Sequence, residues 1–437
     1  MPSSVWHFPS ETTTSDCFRQ YDSPLLTGLL AAEGRECPVL EWAASGCMAL
    51  TGRAGGPPGY PGGDVMGGLH KLVGRLARVA DDGAPAALAV DPGVICSGRA
   101  ALAGLTRQGE LSAGGSARLW QTADGWVALN LARPADHDSV PALLGVLGAG
   151  LSLEAALGSV SAAEVVAAGE LLGLAVSAVA PASAGGGPPG PAWVESPLRA
   201  GSADDAGAAG GRRLVVDLSS LWAGPLCAHL LGRGGARVVK VEHSGRLDGA
   251  RQGDARFWRS LHEGHESLVV DFAARAGRHQ LAALLARADV IIEASRGRAL
   301  DQVELGPSQV VTKPGAVWVT ITGYGRASAR VAFGDDAAVA GGLVAWDDRG
   351  PMFCGDAMGD PVAGLSAAVA VAEALAGGGG VHLDVSMAAA VAAARGSGSG
   401  CGRGEHPVIR DADGAWWVAC AGVRVPVRSP QWAGAVC

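Results

Sequence analysis

Lysine occurs only at positions 71, 240 and 313 of the 437 residues, and Asn130 is the only asparagine. Positive charge is carried almost wholly by arginine, the usage of a GC-rich coding sequence. Basic residues number 34 against 42 acidic ones, a formal charge of -8. That balance excludes a nucleic acid or an anionic membrane surface as the main partner, while an anionic ligand can still find a local basic pocket. Paired-cysteine motifs are missing. The nine cysteines (17, 37, 47, 96, 227, 354, 401, 420, 437) are scattered and odd in number, so reduced thiols and a cytoplasmic location are expected. The opening stretch MPSSVWHFPSETTTSD has no basic segment leading into an apolar one, so no signal peptide is expected. Long apolar runs are also scarce. The Ala-rich piece 362–376 comes nearest, and its Glu373 and modest hydrophobicity favour a buried helix.

What is present suffices for a large core, because 48% of residues are hydrophobic and 17% charged. At roughly 150 residues per domain the length suits two or three domains. Gly 67 and Pro 24 are too well mixed with Val, Leu and Ala runs for disorder, and part of the Gly and Ala load reads as background bias. The sharpest boundary is 182–212, ASAGGGPPGPAWVESPLRAGSADDAGAAGGR, read as a linker. Beyond it, strands are expected at LVVDL (214–218), ARVVKVE (236–242), SLVVDF (267–272), DVIIEA (289–294) and AVWVTIT (316–322), and helices at 224–235 and 277–288. Val- and Ile-rich strands alternating with helices predict a parallel, Rossmann-like sheet covered by helices on its faces. A short internal repeat links ASGCMALTGRAGGPPGYPGGDVMGGL (44–69) with AGGLVAWDDRGPMFCGDAMGDPVAGL (340–365). Both copies end in Gly-Asp-x-x-x-Gly-Leu entering a helix, which pairs Asp64 with Asp360.

The first turn after LVVDL, Ser219-Ser220-Leu221-Trp222-Ala223-Gly224-Pro225, lacks Gly-x-Gly-x-x-Gly, so a dinucleotide site is not expected. No Gly-x-Ser-x-Gly elbow occurs in a strand-to-helix setting, which leaves a hydrolase without support. His262-Glu263-Gly264-His265 has two imidazoles but no third ligand nearby, so no metal site is assigned. Asp360, between Gly359 and Pro361, suits a helix cap. It equally suits a nucleophile, because the flanking Gly359 and Gly364 leave its carboxylate open to a bulky activated acyl group. Nearby backbone N–H groups would then stabilise the oxyanion. Gly114-Gly115-Ser116 precedes a predicted hairpin turning at Asp124-Gly125.

The stretch LVVDLSSLWAGPLCAHLLGRGGARVVKVEHSGRLDGAR, followed by ADVIIEASRGR, VTITGYG, GDPVAGLSAA and GGVHLDVSMAAA, resembles the class III CoA-transferases of the formyl-CoA and carnitine type. The likeness covers about 213–390 in the family's order. ASGCMALTGRAGGPP and GGSARLWQTADGWVALNLA resemble the family's later half, here placed first, so the halves look rearranged. The resemblance implies an α/β fold with a Rossmann-like parallel sheet domain and a smaller α+β domain. The division would be 1–181 (later-half-like), 182–212 (linker), 213–395 (CoA-binding domain with the Asp segment) and 396–437 (C-terminal extension). It further implies a CoA-transferase that moves CoA between an acyl-CoA and a carboxylic acid through an aspartyl anhydride and thioester. No tightly bound cofactor is implied, the CoA thioester being substrate, and the assembly would be a homodimer, interlocked as in the family. Asp360 matches the nucleophile, with Asp64 its repeat-related alternate. Leu221, Trp222, Lys240, His243, Arg296, Gly323, Tyr324 and Gly359 match the CoA-binding positions, and Gly114 and Gly115 the glycine loop. Two departures stand out. The family's basic run before the third strand is His262-Glu263-Gly264-His265-Glu266 here, and the racemase Gly-His-Asp is Gly334-Asp335-Asp336. They leave a catalytically silent CoA-binding or partner subunit as the alternative and make an acyl-CoA racemase the weaker one.

Overall fold

The computed structural model describes residues 37–79, 90–181, 190–201, 211–294, 299–396 and 406–432. Arg296 lies outside the described residues. In chain order come helices α1 (Pro38–Ala44), α2 (Val65–Val79) and α3 (Pro92–Ala103), then the antiparallel strands β1 (Ala117–Gln121), β2 (Trp126–Asn130) and β3 (Ala175–Ala178). Between β2 and β3 lie α4 (Pro134–Asp138), α5 (Val140–Leu147), α6 (Leu153–Gly158) and α7 (Ala162–Leu172). The hairpin turns at Asp124-Gly125 as its sequence predicts, with Gln121 opposite Trp126. Val127, Leu129, Leu143, Leu157, Val165 and Val176 fill the core of this smaller layer.

The main sheet has seven strands in the order β4-β12-β9-β8-β5-β6-β7. These are β4 (Trp193–Pro197), β5 (Leu214–Asp217), β6 (Arg237–His243), β7 (Glu266–Val270), β8 (Val290–Glu293), β9 (Val317–Thr322) and β12 (Val381–Ser386). All but β4 run parallel. Strand order reverses at β5, so a crevice opens at its carboxyl end beside β8, the place where doubly wound sheets bind ligands. The helices that follow are α8 (Ala223–Arg233), α9 (Ala255–His262), α10 (Arg275–Leu285), α11 (Ala299–Gln302), α12 (Gly334–Ala340), α13 (Gly359–Ala376) and α14 (Met387–Arg395). A hairpin, β10 (Val344–Asp347) with β11 (Gly350–Phe353), packs against β1 and β2 through Leu119, Val344 and Phe353.

Two expectations are revised. First, β4 falls inside the segment read as a linker and pairs antiparallel with β12. Its five residues are mostly exposed and end on Pro197, an edge-strand composition that gives no apolar alternation to read. Second, residues 37–79 are not part of a separate unit. Trp42, Leu69 and Leu76 share one core with Leu226, Val319, Val369 and Val391 of the sheet and its helices. Within the C-terminal extension, β13 (Val408–Arg410), β14 (Trp416–Cys420) and β15 (Val423–Pro426) form a sheet whose Val418 and Val425 enter that same core. Helix α13 is long and apolar enough to cross a membrane by length and composition, but it is mostly buried inside the protein. An apolar helix without a polar face belongs in a core of this kind.

Candidate functional site

The loop leaving β5 is held from beneath. The Asp217 carboxylate accepts the Ser219 N–H at 2.9 Å and also its hydroxyl. Lys240, only 1% exposed, points its ammonium at Asp217 (3.3 Å), at Asp248 (3.2 Å) and at the Ser219 carbonyl. Asp248 in turn accepts the Leu221 N–H at 2.9 Å. This grip keeps Leu221 at φ 70, a left-handed conformation that strains a non-glycine residue, with its side chain 42% exposed. Trp222 is buried edge-on against Phe257, ring centroids 5.3 Å apart. Gly224 has no room for a side chain, because an added Cβ would lie 2.1 Å from the Ser219 Oγ. The chain then enters α8, whose first backbone N–H, that of Ala223, donates to the carboxylate of Asp360.

Asp360 sits in the first turn of α13, partly buried, with its own N–H donated to the Ala357 carbonyl at 2.9 Å. Ala357 is left-handed at φ 44, and its N–H is held by the Asp335 carboxylate at 3.0 Å. Gly334 opens α12 flush against the nucleophile candidate: an added Cβ would lie 2.3 Å from Asp360 Oδ2. Three helix N-termini, of α8, α12 and α13, thus converge on one carboxylate. Arg99 of α3 completes the cluster. Its guanidinium grips Asp356 through Nε at 2.9 Å and through Nη2, and lies 5.4 Å from the Trp222 ring centroid. Over the Arg99–Asp356 pair lies the glycine loop. A Cβ on Gly114 would be 3.4 Å from Arg99 Nη2 and 3.8 Å from Asp356 Oδ1, whereas Gly115, at φ 81, meets nothing within 4 Å.

Three carboxylates facing one guanidinium cannot all ionise cheaply in a buried site. Burial drives the Asp360 carboxyl up to about 7. Asp335 and Asp356 push in the same direction, while Arg99 and the Ala223 N–H pull it back. Asp335 rises to about 6 by burial, with Asp356 adding and Arg99 opposing. Asp356 is also raised by burial, against the opposing pull of Arg99. Next to them Asp336, fully buried, rises to about 7 by burial despite accepting the Phe333 N–H at 2.9 Å and the Asn130 amide at 3.0 Å. A carboxylate ionising near neutrality at a topological switch point has the placement and the basicity of a nucleophile or general base.

The residues singled out from the sequence divide into groups. Asp360, Gly359, Gly114, Leu221 and Trp222 come together at this crevice. Gly359 lies buried against α12, its missing Cβ 2.7 Å from the Gly334 carbonyl. Lys240 lies under the loop, fully engaged by protein groups. His243 lies further along the β6 end, its Nδ1 accepting the Gly245 N–H at 2.8 Å and its ring edge-on to Phe272. Gly323 packs against Ala332, and Tyr324 stacks under Arg330, whose Cζ is 3.7 Å from the ring centroid, toward the smaller layer. Asp64 stands elsewhere, its carboxylate capping its own helix by accepting the Gly67 N–H at 2.9 Å. It lines a separate cavity of about 750 Å³ with Lys71, Arg75 and Trp193. His262 and His265 are pushed down to about 2 and about 3 by burial, so both imidazoles are neutral. Sequence reasoning missed Arg99 and Asp356, which carry no local signature, and read Asp335 only as a missing histidine.

Residues 212–404 match the model of CoA-transferase family III. The chain is 28% identical over 169 residues to succinyl-CoA–D-citramalate CoA-transferase of Chloroflexus aurantiacus, covering 36% of this chain and 42% of that protein. It is 35% identical over 114 residues to human alpha-methylacyl-CoA racemase, covering 26% and 28%. It is 29% identical over 173 residues to the succinyl-CoA–L-malate CoA-transferase alpha subunit of Chloroflexus aurantiacus, covering 36% and 40%. The chain therefore spans less than half the length of these curated relatives. A solved CAIB/BAIF family protein from Brucella suis aligns at 24% identity with a TM-score of 0.43, over 48% of this chain and 65% of that one.

Proposed function

We propose that this chain, in which residues 212–404 belong to CoA-transferase family III, moves CoA from an acyl-CoA to a carboxylic acid with Asp360 as the nucleophile. One observation carries the reading: the Asp360 carboxylate is held at the crevice beside β5, against the N–H of Ala223, and ionises at about 7. An Asp360 oxygen attacks the thioester carbonyl carbon, the C–S bond breaks and CoA leaves as thiolate, giving a mixed anhydride. The thiolate attacks the aspartyl carbonyl and releases the donor acid as carboxylate, leaving an aspartyl-CoA thioester. The acceptor carboxylate attacks that thioester and displaces the thiolate again. Attack of the thiolate on the acceptor's acyl carbon then returns the Asp360 carboxylate, and no proton is gained or lost overall.

Within this scheme the N-terminal turns of α8 and of α13, which begins at Gly359, stabilise the oxyanions through backbone N–H groups. The Gly114-Gly115 loop covers the intermediates, and Leu221 and Trp222 border the thioester. His243, Arg296, Gly323 and Tyr324 belong to the CoA path, whereas the buried Lys240 positions the β5 loop. Succinyl-CoA is the first donor to test, with malate and citramalate as acceptors, because relatives are named for those substrates. Homodimeric assembly and a cytoplasmic location form part of the same proposal, and sedimentation reads the first.

A second reading, a CoA-binding or partner subunit without turnover, is supported by the neutral imidazoles of His262 and His265 where the family resemblance expects cations. Incubation with succinyl-CoA and hydroxylamine separates the two. Hydroxamate at Asp360, absent from Asp360→Ala, supports the transferase; CoA binding with no modification anywhere supports the silent subunit and overturns the transferase.

A further inference from the structure

We propose that Cys37, Cys420 and His406 form a zinc site that fastens the first described helix to the C-terminal sheet, outside the family-matched segment. Cys37 stands at the N-cap of α1, His406 just before β13 and Cys420 at the end of β14. Across 369 residues the Cys37 Sγ comes to 3.1 Å from His406 Nε2, and the three ligand atoms all lie within 4.8 Å of one another. Cys37 and His406 are each 3% exposed, while Cys420 is half-buried. The Tyr60 ring meets the imidazole edge-on at 5.7 Å between centroids and fixes its orientation.

A thiol–imidazole hydrogen bond does not account for the whole cluster. The second sulfur joins it, because Cys37 also hydrogen-bonds Cys420, and so two sulfurs and an imidazole meet at one buried point. Zinc bound through the ring nitrogen that faces the sulfurs would replace the thiol–imidazole contact with a metal–nitrogen bond. Two sulfurs and one imidazole with no carboxylate select a thiophilic ion over magnesium or calcium. Tetrahedral zinc, with bonds of about 2.3 Å to sulfur and about 2.0 Å to nitrogen, holds such ligand atoms about 3.5–3.8 Å apart. The observed cluster needs to close by only about 1 Å at its widest to reach that spacing. Binding displaces the two thiol protons, leaving two thiolates on the ion, and the half-buried side at Cys420 leaves the fourth position to water.

The consequence is mechanical. Arg428 beyond β15 donates its N–H to the Ala43 carbonyl of α1 at 3.0 Å, and the metal would reinforce that junction by closing a very long loop. The test uses the full chain purified under reductant without a histidine tag. Elemental analysis should find about one zinc per chain, and Cys37→Ser, His406→Ala and Cys420→Ser should each lower it at least about tenfold. Cys354→Ser, at a buried cysteine elsewhere, should leave the content unchanged. Because a ligand variant can fail to fold, cobalt is loaded into the wild-type chain. Thiolate-to-cobalt charge-transfer absorption with tetrahedral visible bands, both lost on adding zinc, supports the site. A folded wild-type chain that takes up neither metal, or a Cys37–Cys420 disulfide found by mass spectrometry in the reduced preparation, overturns it.

Discussion

Gly334→Ala is the sharpest perturbation the site offers. The new methyl would lie 2.3 Å from Asp360 Oδ2 and 2.4 Å from the Ala357 carbonyl oxygen, whereas carbon and oxygen rest at about 3.3 Å or more. Something must retreat by about 1 Å, and the backbone is the stiffer party. Ala357 is pinned at φ 44 by the hydrogen bond from its N–H to Asp335, so the carboxylate moves. Displacing a reacting atom by about 1 Å costs on the order of 100-fold in rate, or about 2.7 kcal/mol of barrier. Overpacking against the Ala357 carbonyl should also lower stability by about 1–3 kcal/mol. The assay is rapid-quench formation of the acyl-enzyme from succinyl-CoA, with folding checked by circular dichroism and CoA affinity by calorimetry. Gly125→Ala serves as control, because an added methyl there meets no atom within 4 Å. The reasoning is refuted if folded Gly334→Ala acylates within about threefold of wild type, since Asp360 would then not be the attacking group.

Acylation should rise with pH through a single ionisation near 7, because only the carboxylate attacks and burial holds Asp360 there; stopped-flow rates that stay flat across neutrality contradict this. Asp336, raised by burial to about 7, keeps a proton in the folded chain that the unfolded chain releases near 3.8, so unfolding free energy should fall as pH rises between those values and level off above. Its share is at most about 4 kcal/mol, and Asp336→Asn should flatten that slope in urea titrations; an unchanged slope counts against a protonated Asp336. Lys240→Met leaves Asp217 and Asp248 buried without their cation and should lower stability by about 3–5 kcal/mol. The folded fraction should keep its KM for acyl-CoA, and a selective rise in that KM with stability intact would place Lys240 on the CoA instead.

The parallel sheet was legible because its strands are short runs of Val and Ile punctuated by glycine, and each strand from β5 to β9 lies where its run predicts. The β5 loop and the Asp360 turn were legible only through family resemblance. Asp360 alone reads equally well as a helix cap, which is what Asp64, its repeat counterpart, turns out to be. The rest was hidden for a common reason: burial and charge pairing act across large separations in sequence. Arg99 reaches Asp356 over 257 positions, and Asn130 reaches Asp336 over 206. Lysine and asparagine looked merely scarce. Yet one of the three lysines neutralises the acid pair beneath the β5 loop, and the one asparagine bonds a fully buried aspartate near the site.

Background bias is also an incomplete account of the glycine. Gly364 lies one turn beyond Asp360 on α13, and a methyl there would stand 2.5 Å from the Ala223 carbonyl and 3.1 Å from the Leu226 Cβ. Ala223 is the residue whose N–H binds the Asp360 carboxylate, so the close approach of α8 to α13 that makes this bond depends on a hydrogen at position 364. Gly224 applies the same constraint from the other side, against Ser219, and Gly334 from α12. Helices bearing larger residues at these points would pack farther apart, and the Ala223 N–H would no longer reach the carboxylate. Gly115 differs in kind: a methyl there would meet nothing within 4 Å, and its φ of 81 is what calls for glycine. Small-residue contacts at Gly224, Gly334 and Gly364 thus fix the place of the Asp360 carboxylate, whereas Gly115 is set by its backbone conformation.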